Sequence, residues 1–171
     1  PPDEKASGLK PLLQVMRRIG VFFSPMPHAM AFRAPVDLAA VNAHAANTLV
    51  SNLGIVMTEA GEDWLRGTMP VDVRTVQPYG ILHGGASVAL AETLGSVAGN
   101  LCVDTTKEMV VGLEINANHV RAMRSGVVTG TARALHVGRS TQLWEIRIEN
   151  DDGKLVCVSR LTLAVVPVAK G

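Results

Sequence analysis

The stretch HGGASVALAETLGSVAGNLCV, residues 83–103, carries a single acidic or basic side chain after His83, the carboxylate of Glu92. A run this apolar and this long has few places to go. At about 18 residues, the part beginning at Ala86 approaches the length of a membrane span. Yet it is rich in Ala, Gly and Ser, holds Glu92 at its centre, and is followed by strand patterns rather than basic flanks. The expected structure is therefore a helix buried in a protein core, and no membrane partner is expected. An ionised carboxylate in such company costs several kcal/mol of solvation unless it is paired or reaches a wet cleft. A chain that keeps one there is expected to use it.

Enough apolar material surrounds that helix for one compact domain: 47% of the 171 residues are hydrophobic and 18% charged. The net charge is +1, with Lys and Arg scattered, so no nucleic-acid footprint is visible and a polyanionic partner would have to be small. Cys102 and Cys157 lie in apolar stretches without metal-type spacing, which predicts buried free thiols in a reducing compartment, with a disulfide as the alternative. The start, PPDEKASGLK, lacks the basic-then-apolar layout of a secretory signal. A cytoplasmic location, with no metal, is the expectation.

Residues 1–35 differ from the rest. Leu9, Leu12, Leu13, Met16 and Ile19 fall at helical spacing, and the Pro-rich stretch SPMPHAMAFRAP, residues 24–35, should break any helix and act as a linker. An accessory helix packed on the body or on a partner is the plain reading; a membrane-surface role, a regulatory role and disorder are the alternatives. Asp37 suits the cap of a second helix through Leu38, Val41, Ala45 and Leu49, reaching Asn52. Trp64–Pro70 reads as a strand, followed by the loop DVRTVQPYGILHGG and then the central helix from near Gly84 to residues 99–102.

Beyond the helix the period changes to two. Val111, Leu113, Ile115 and Ala117 alternate with Gly112, Glu114, Asn116 and Asn118, the mark of a half-buried strand. Further strands are expected over 127–135, around Trp144, Ile146 and Ile148, and over 154–166, with Asn150-Asp151-Asp152-Gly153 as a hairpin turn. One strand, a long helix and then at least four hairpin-linked strands predict an α+β fold, an antiparallel sheet with the helix against one face. No internal repeat is apparent.

The chemistry gathers around the helix. Gly84 and Gly85 permit close approach to the backbone, and first-turn N–H groups favour a developing oxyanion, although the same pair also makes a tight turn with no ligand. Gly84 and Glu92 are eight residues apart, roughly 12 Å along one helix, so they cannot easily serve one reacting carbon. If both act, they come from different subunits, with two helices antiparallel across a two-fold axis. Ser96, one turn beyond Glu92, either holds a water near the carboxylate or bonds back to its own helix. Gln77 and His83 flank the loop and suit orienting a carbonyl or a water, though a His before Gly-Gly also serves structure. Asn118-His119, Arg121, Arg124 and Arg139 put basic groups at strand ends, which suits phosphate or simply solvent.

The segments QPYGILHGGASVALAETLGSVAG (residues 77–99) and VVGLEINANHVR (residues 110–121) resemble the hotdog-fold acyl-CoA thioesterases. The match is to the PaaI-like branch with the 1,4-dihydroxy-2-naphthoyl-CoA and Arthrobacter-type 4-hydroxybenzoyl-CoA thioesterases, over residues 36–167. The resemblance implies a hotdog fold, a long central helix wrapped by a curved antiparallel sheet, in homodimers with shared active sites and usually homotetramers. It implies hydrolysis of an aromatic acyl-CoA to free acid and CoA. Glu92 would be nucleophile or general base, the Gly84 N–H would polarise the carbonyl, Gln77 and His83 would lie opposite Glu92, and Ser96 would support a water. Substrate or CoA contacts are implied at Gly85, Gly112, His119, Val120, Arg121, His136, Gly138, Arg139, Ser140 and Thr141. No cofactor is implied, CoA being part of the substrate. Residues 1–35 have no counterpart in the short family members, and 168–171 form a tail. Two alternatives stand beside this reading: an enoyl-CoA hydratase, which usually needs an Asp-His pair where this helix has Glu92 and no His, and a non-catalytic acyl-CoA sensor, which only the N-terminal extension favours. The lack of a GxSxG elbow argues against the α/β-hydrolase route.

Overall fold

Residues 32–168 are described by the computed structural model. The helix expected through Leu9 and Ile19, and most of the Pro-rich linker, lie outside the described residues. Phe32, expected within that linker, is instead core: it is buried, with its ring stacked on Trp144 at 6.4 Å between centroids.

The element order is α1 (Leu38–His44), α2 (Leu49–Asn52), β1 (Val56–Ala60), β2 (Trp64–Pro70), α3 (Gly84–Leu101), β3 (Glu108–His119), β4 (Val127–Val137), β5 (Thr141–Asn150) and β6 (Leu155–Pro167). Asp37 does cap α1, its carboxylate accepting from the Ala40 N–H at 3.0 Å. The single helix expected from there to Asn52 is two. Asn47 sits at φ 60°, which ends the first helical path, and Thr48 opens α2 with a reciprocal cap to Ser51. The strand β1 was not expected. It is short and only Met57 in it is buried, so its sequence carries little signal until it pairs with β2.

The six strands form one antiparallel sheet in the order β1-β2-β4-β5-β6-β3. Helix α3 touches β2, β4, β5, β6 and β3 alike. Five strands span about 19 Å, well beyond the roughly 10 Å width of a helix, so the sheet has to curl around it. The α+β architecture is as expected. Small residues set the closeness of the fit: a Cβ on Gly95 would lie 2.5 Å from Leu161 Cδ2, and one on Gly99 2.5 Å from Leu163 Cδ1. Leu90, Ala91, Leu94 and Ala98 bury the sheet-facing side of α3 against Leu65, Met69, Trp144, Ile146 and Leu161. The buried Gln142 amide is satisfied, donating to Gly99 O at 3.2 Å and accepting from Trp144 Nε1 at 3.0 Å.

On β3 the expected alternation fails. The register with β6 shifts between Gly112 and Glu114, leaving Leu113 as the extra residue of a β-bulge. Val110 is buried and Gly112 faces the helix on one side of the bulge, while Ile115 and Ala117 turn inward on the other. Val111 and Leu113, expected inward, are 37% and 61% exposed. Both cysteines are free thiols, and burial pushes Cys102 up to about 12. No helix among the described residues is long and apolar enough to cross a membrane.

Candidate active site

The loop before α3 is pinned from several sides. Thr75 is buried, its hydroxyl donating to Pro70 O at 2.8 Å and accepting from the Asp72 N–H at 3.0 Å. Its carbonyl accepts from the His83 N–H at 2.8 Å, the Gln77 N–H donates to Ile81 O at 2.8 Å, and the Leu82 N–H donates to Met123 O at 2.7 Å. Gln77 is thereby held half-buried, and its side-chain amide makes no hydrogen bond among the described residues.

His83 is the N-cap of α3. Its Nδ1 accepts from the Gly85 N–H at 2.8 Å, which leaves the proton of the neutral ring on Nε2. Its carbonyl accepts from the N–H groups of Ala86 at 3.0 Å and Ser87 at 3.2 Å. The first-turn donors are thus assigned one by one, except that of Gly84, for which no acceptor exists among the described residues. The imidazole of His119, at the end of β3, lies against the same glycine: a Cβ on Gly84 would come 2.9 Å from its Nε2. The glycine here makes room for a histidine as well as for any ligand.

Glu92 lies two turns further along the same unbroken helix, about 12 Å away. It is half-buried, and among the described residues it has no ion pair. The Ser96 hydroxyl donates to its Oε1 at 3.4 Å. Burial raises the Glu92 carboxyl above its usual range, and the Ser96 bond offsets part of that. Beside the carboxylate, on β3, lies Gly112 rather than a charged partner.

The remaining expected residues divide into two groups. Val120 and Arg121 follow β3, both N–H groups donating to Val156 O, at 2.9 and 3.3 Å, while Arg121 Nε donates to Leu155 O at 3.3 Å. His136, Gly138, Arg139, Ser140 and Thr141 form the β4–β5 turn, held by the Gly138 N–H to Thr141 O at 2.9 Å and the Val165 N–H to Ser140 O at 2.9 Å. On β6 the first group aligns with Cys157 and the second with Ala164, seven residues on, so about 23 Å separates them within one protomer. One chain alone does not bring them together.

Sequence reasoning missed a cavity of about 810 Å³ on the side of α3 that the sheet leaves uncovered. Val41, His44, Val50 and Met57 form one wall, and Thr93 and Val97 of α3 the other. Its lining is mostly apolar. Thr93 and Val97 stand one and five residues beyond Glu92, a helical spacing visible in the sequence, but the opposite wall depends on how α1 and α2 fold back. Among the described residues, no three His, Cys, Asp or Glu side chains converge as metal ligands would.

Comparison with known proteins bears on the family and the fold. A family model described as the Thioesterase superfamily matches residues 79–157. The 1,4-dihydroxy-2-naphthoyl-CoA hydrolase of Escherichia coli is 50% identical over 137 residues, 80% of this chain and 100% of that protein. The proofreading thioesterase EntH of Cronobacter sakazakii is 51% identical over 139 residues, 80% of this chain and 99% of its own length. The crystal structure of a mutant thioesterase from Pseudomonas aeruginosa superposes with a TM-score of 0.80 at 53% identity, over 81% of this chain and 99% of the other.

Proposed function

The chain belongs to the thioesterase superfamily and is a thioester hydrolase with the hotdog fold, and from that premise we propose that it cleaves an aromatic acyl-CoA to the free acid and CoA, using Glu92 of one protomer and the Gly84 N–H of its partner at each site. The observation that carries this reading is the presence of two complementary groups: a desolvated carboxylate without a cation and a helix-start N–H without an acceptor, both among the described residues.

A thioester carbonyl is a good electrophile, so one carboxylate and one oxyanion donor are sufficient apparatus. Glu92 either attacks the carbonyl carbon, expelling the CoA thiolate and leaving an anhydride that water opens, or takes a proton from a water that attacks directly. In both routes the carbonyl oxygen gains negative charge, which the Gly84 N–H and the positive end of α3 stabilise. Gln77 and His83 Nε2, on the Gly84 side, orient the carbonyl or the water, and Ser96 holds the carboxylate end.

Two features support the shared site. Among the described residues strand β3 is a sheet edge, bonded only to β6, and it exposes Met109, Val111 and Leu113. An unpaired apolar edge invites an identical strand across a two-fold axis, which would run two α3 helices antiparallel and bring Gly84 of each to Glu92 of the other. The same operation brings the 136–141 turn of one protomer toward Arg121 of the other, uniting the basic groups suited to CoA phosphates. The aromatic acyl group is supported by the relative whose name specifies a naphthoyl-CoA, and by an apolar cavity of small-molecule size on the same helix, lined by Thr93 and Val97 though not by Glu92 itself.

Thiol release from a panel of benzoyl-type and aliphatic CoA esters tests the reading. Glu92→Ala is expected to lower turnover by about a hundredfold or more, while aromatic esters lead the wild-type panel. Retention of more than about a tenth of the wild-type rate removes Glu92 from the chemistry.

A further inference from the structure

Gly112 sits in the middle of β3, where glycine is a poor residue: it weakens a strand and packs nothing. Its backbone does not call for it either. Among the described residues the glycines at positive φ are Gly54, Gly80, Gly126 and Gly153, and Gly112 is not one of them. What distinguishes the position is the space in front of it. A Cβ built there would lie 2.5 Å from Glu92 Oε1, 3.5 Å from its Cδ and 3.9 Å from Oε2, and no other group comes closer than these three atoms. Among the described residues, the nearest group that a methyl at residue 112 would meet is the carboxylate.

Resting on the role given to Glu92 above, we infer that Gly112 is a positioning residue, whose missing side chain reserves the place in which the Glu92 carboxylate stands. Three features of the fold make that place exclusive. The bulge at Leu113 shifts the facing of β3, so that Gly112 looks at α3 at the height of Glu92 while Leu113 looks outward. Strand β3 cannot retreat, because Gly112 is in register with Leu163 of β6. Moving helix α3 away would open its close fit to the sheet, where Gly95 and Gly99 leave just enough room for Leu161 and Leu163. Only the carboxylate, at the end of a flexible side chain, is free to move.

Gly112→Ala therefore separates positioning from folding. The thermal midpoint is expected to stay level or rise, since alanine at an ordinary strand backbone restricts the unfolded chain. KM for the acyl-CoA should stay within about threefold, while kcat falls at least about tenfold. A crystal structure of the variant should show the carboxylate more than about 1 Å from its present position, ångström-scale misplacement being enough for such a loss. Unchanged kcat, a loss of kcat with the carboxylate in place, or a chain that fails to fold would each overturn the inference. Glu92→Ala, assayed alongside, keeps the two claims apart. If it retains turnover, the reading of Glu92 fails, while the position of the carboxylate in Gly112→Ala still reports on the steric claim.

Discussion

At the scale of single residues, the site rests on groups left incompletely satisfied. Burial holds the Glu92 carboxyl above its ordinary range, so its proton persists to higher pH in the folded protein than in the unfolded chain. Between those two values the folded state binds more protons, and stability falls as pH rises through the folded one. The proposed reaction needs the opposite charge state, because only an ionised carboxylate attacks or accepts a proton. Glu92→Gln should therefore melt higher than wild type at neutral pH, with the gap closing in acid, while turnover falls by about a hundredfold or more. In Ser96→Ala, loss of the bond to Oε1 should move the acid limb of kcat further up in pH. Calorimetry across pH and rate profiles on one acyl-CoA check both. An unmoved limb in Ser96→Ala would mean that the hydroxyl does not act on this carboxyl. Glu92 itself was legible in the sequence, since nothing else charged stands in its run. The role of His83 as cap was not, because Gly85 N–H to Nδ1 depends on the entry angle of a loop fixed by Thr75.

Among the elements, the long helix and the four strands after it were readable because each repeats one period over ten or more residues. What escaped were the places where a period is broken without any change of composition. The series Val111, Leu113, Ile115 and Ala117 alternates cleanly on paper, yet the bulge at Leu113 sends its first half outward. Gly112 within the pattern was the available sign. Likewise the periodicity from Leu38 to Leu49 crosses Asn47, whose positive φ divides α1 from α2. That division shapes the wall of the cavity. Strand and helix also meet closely at Gly130, where a Cβ would stand 2.5 Å from Leu94 Cδ1 and 3.3 Å from Leu90 Cδ2, both leucines fully buried. Gly130→Val should cost about 1–3 kcal/mol through overpacking, and lower the melting temperature by about 3–10 °C. Since Leu90 and Leu94 lie on the face of α3 opposite Glu92, KM and kcat well below the transition should change little. A large loss of kcat there would instead show that pressure on the sheet side of α3 reaches Glu92.

For the whole molecule, the sequence spoke through distance: eight helical residues place Gly84 and Glu92 about 12 Å apart, and one rigid helix cannot fold them together. A site built from both needs two chains, and this can be tested with variants that each spoil one half. Gly84→Pro removes the N–H, at the cost of a ring whose Cβ would stand 2.9 Å from His119 Nε2, so the imidazole has to give way. His83 already has φ −70° and ψ 132°, which suits the residue before a proline, and the first helical position accepts one. Gly84→Pro and Glu92→Ala should each be inactive as homodimers. Unfolded and refolded together, half of the dimers are mixed, and each mixed dimer holds one site with both groups intact beside one with neither. The mixture should then recover about a quarter of wild-type activity, the fraction set by random pairing under two-fold symmetry. Recovery should rise with protomer concentration, because the restored site exists only in the dimer. A mixture no more active than its parents would mean that each protomer works with its own groups, a geometry the unbroken run from Gly84 to Leu101 does not permit without unwinding α3.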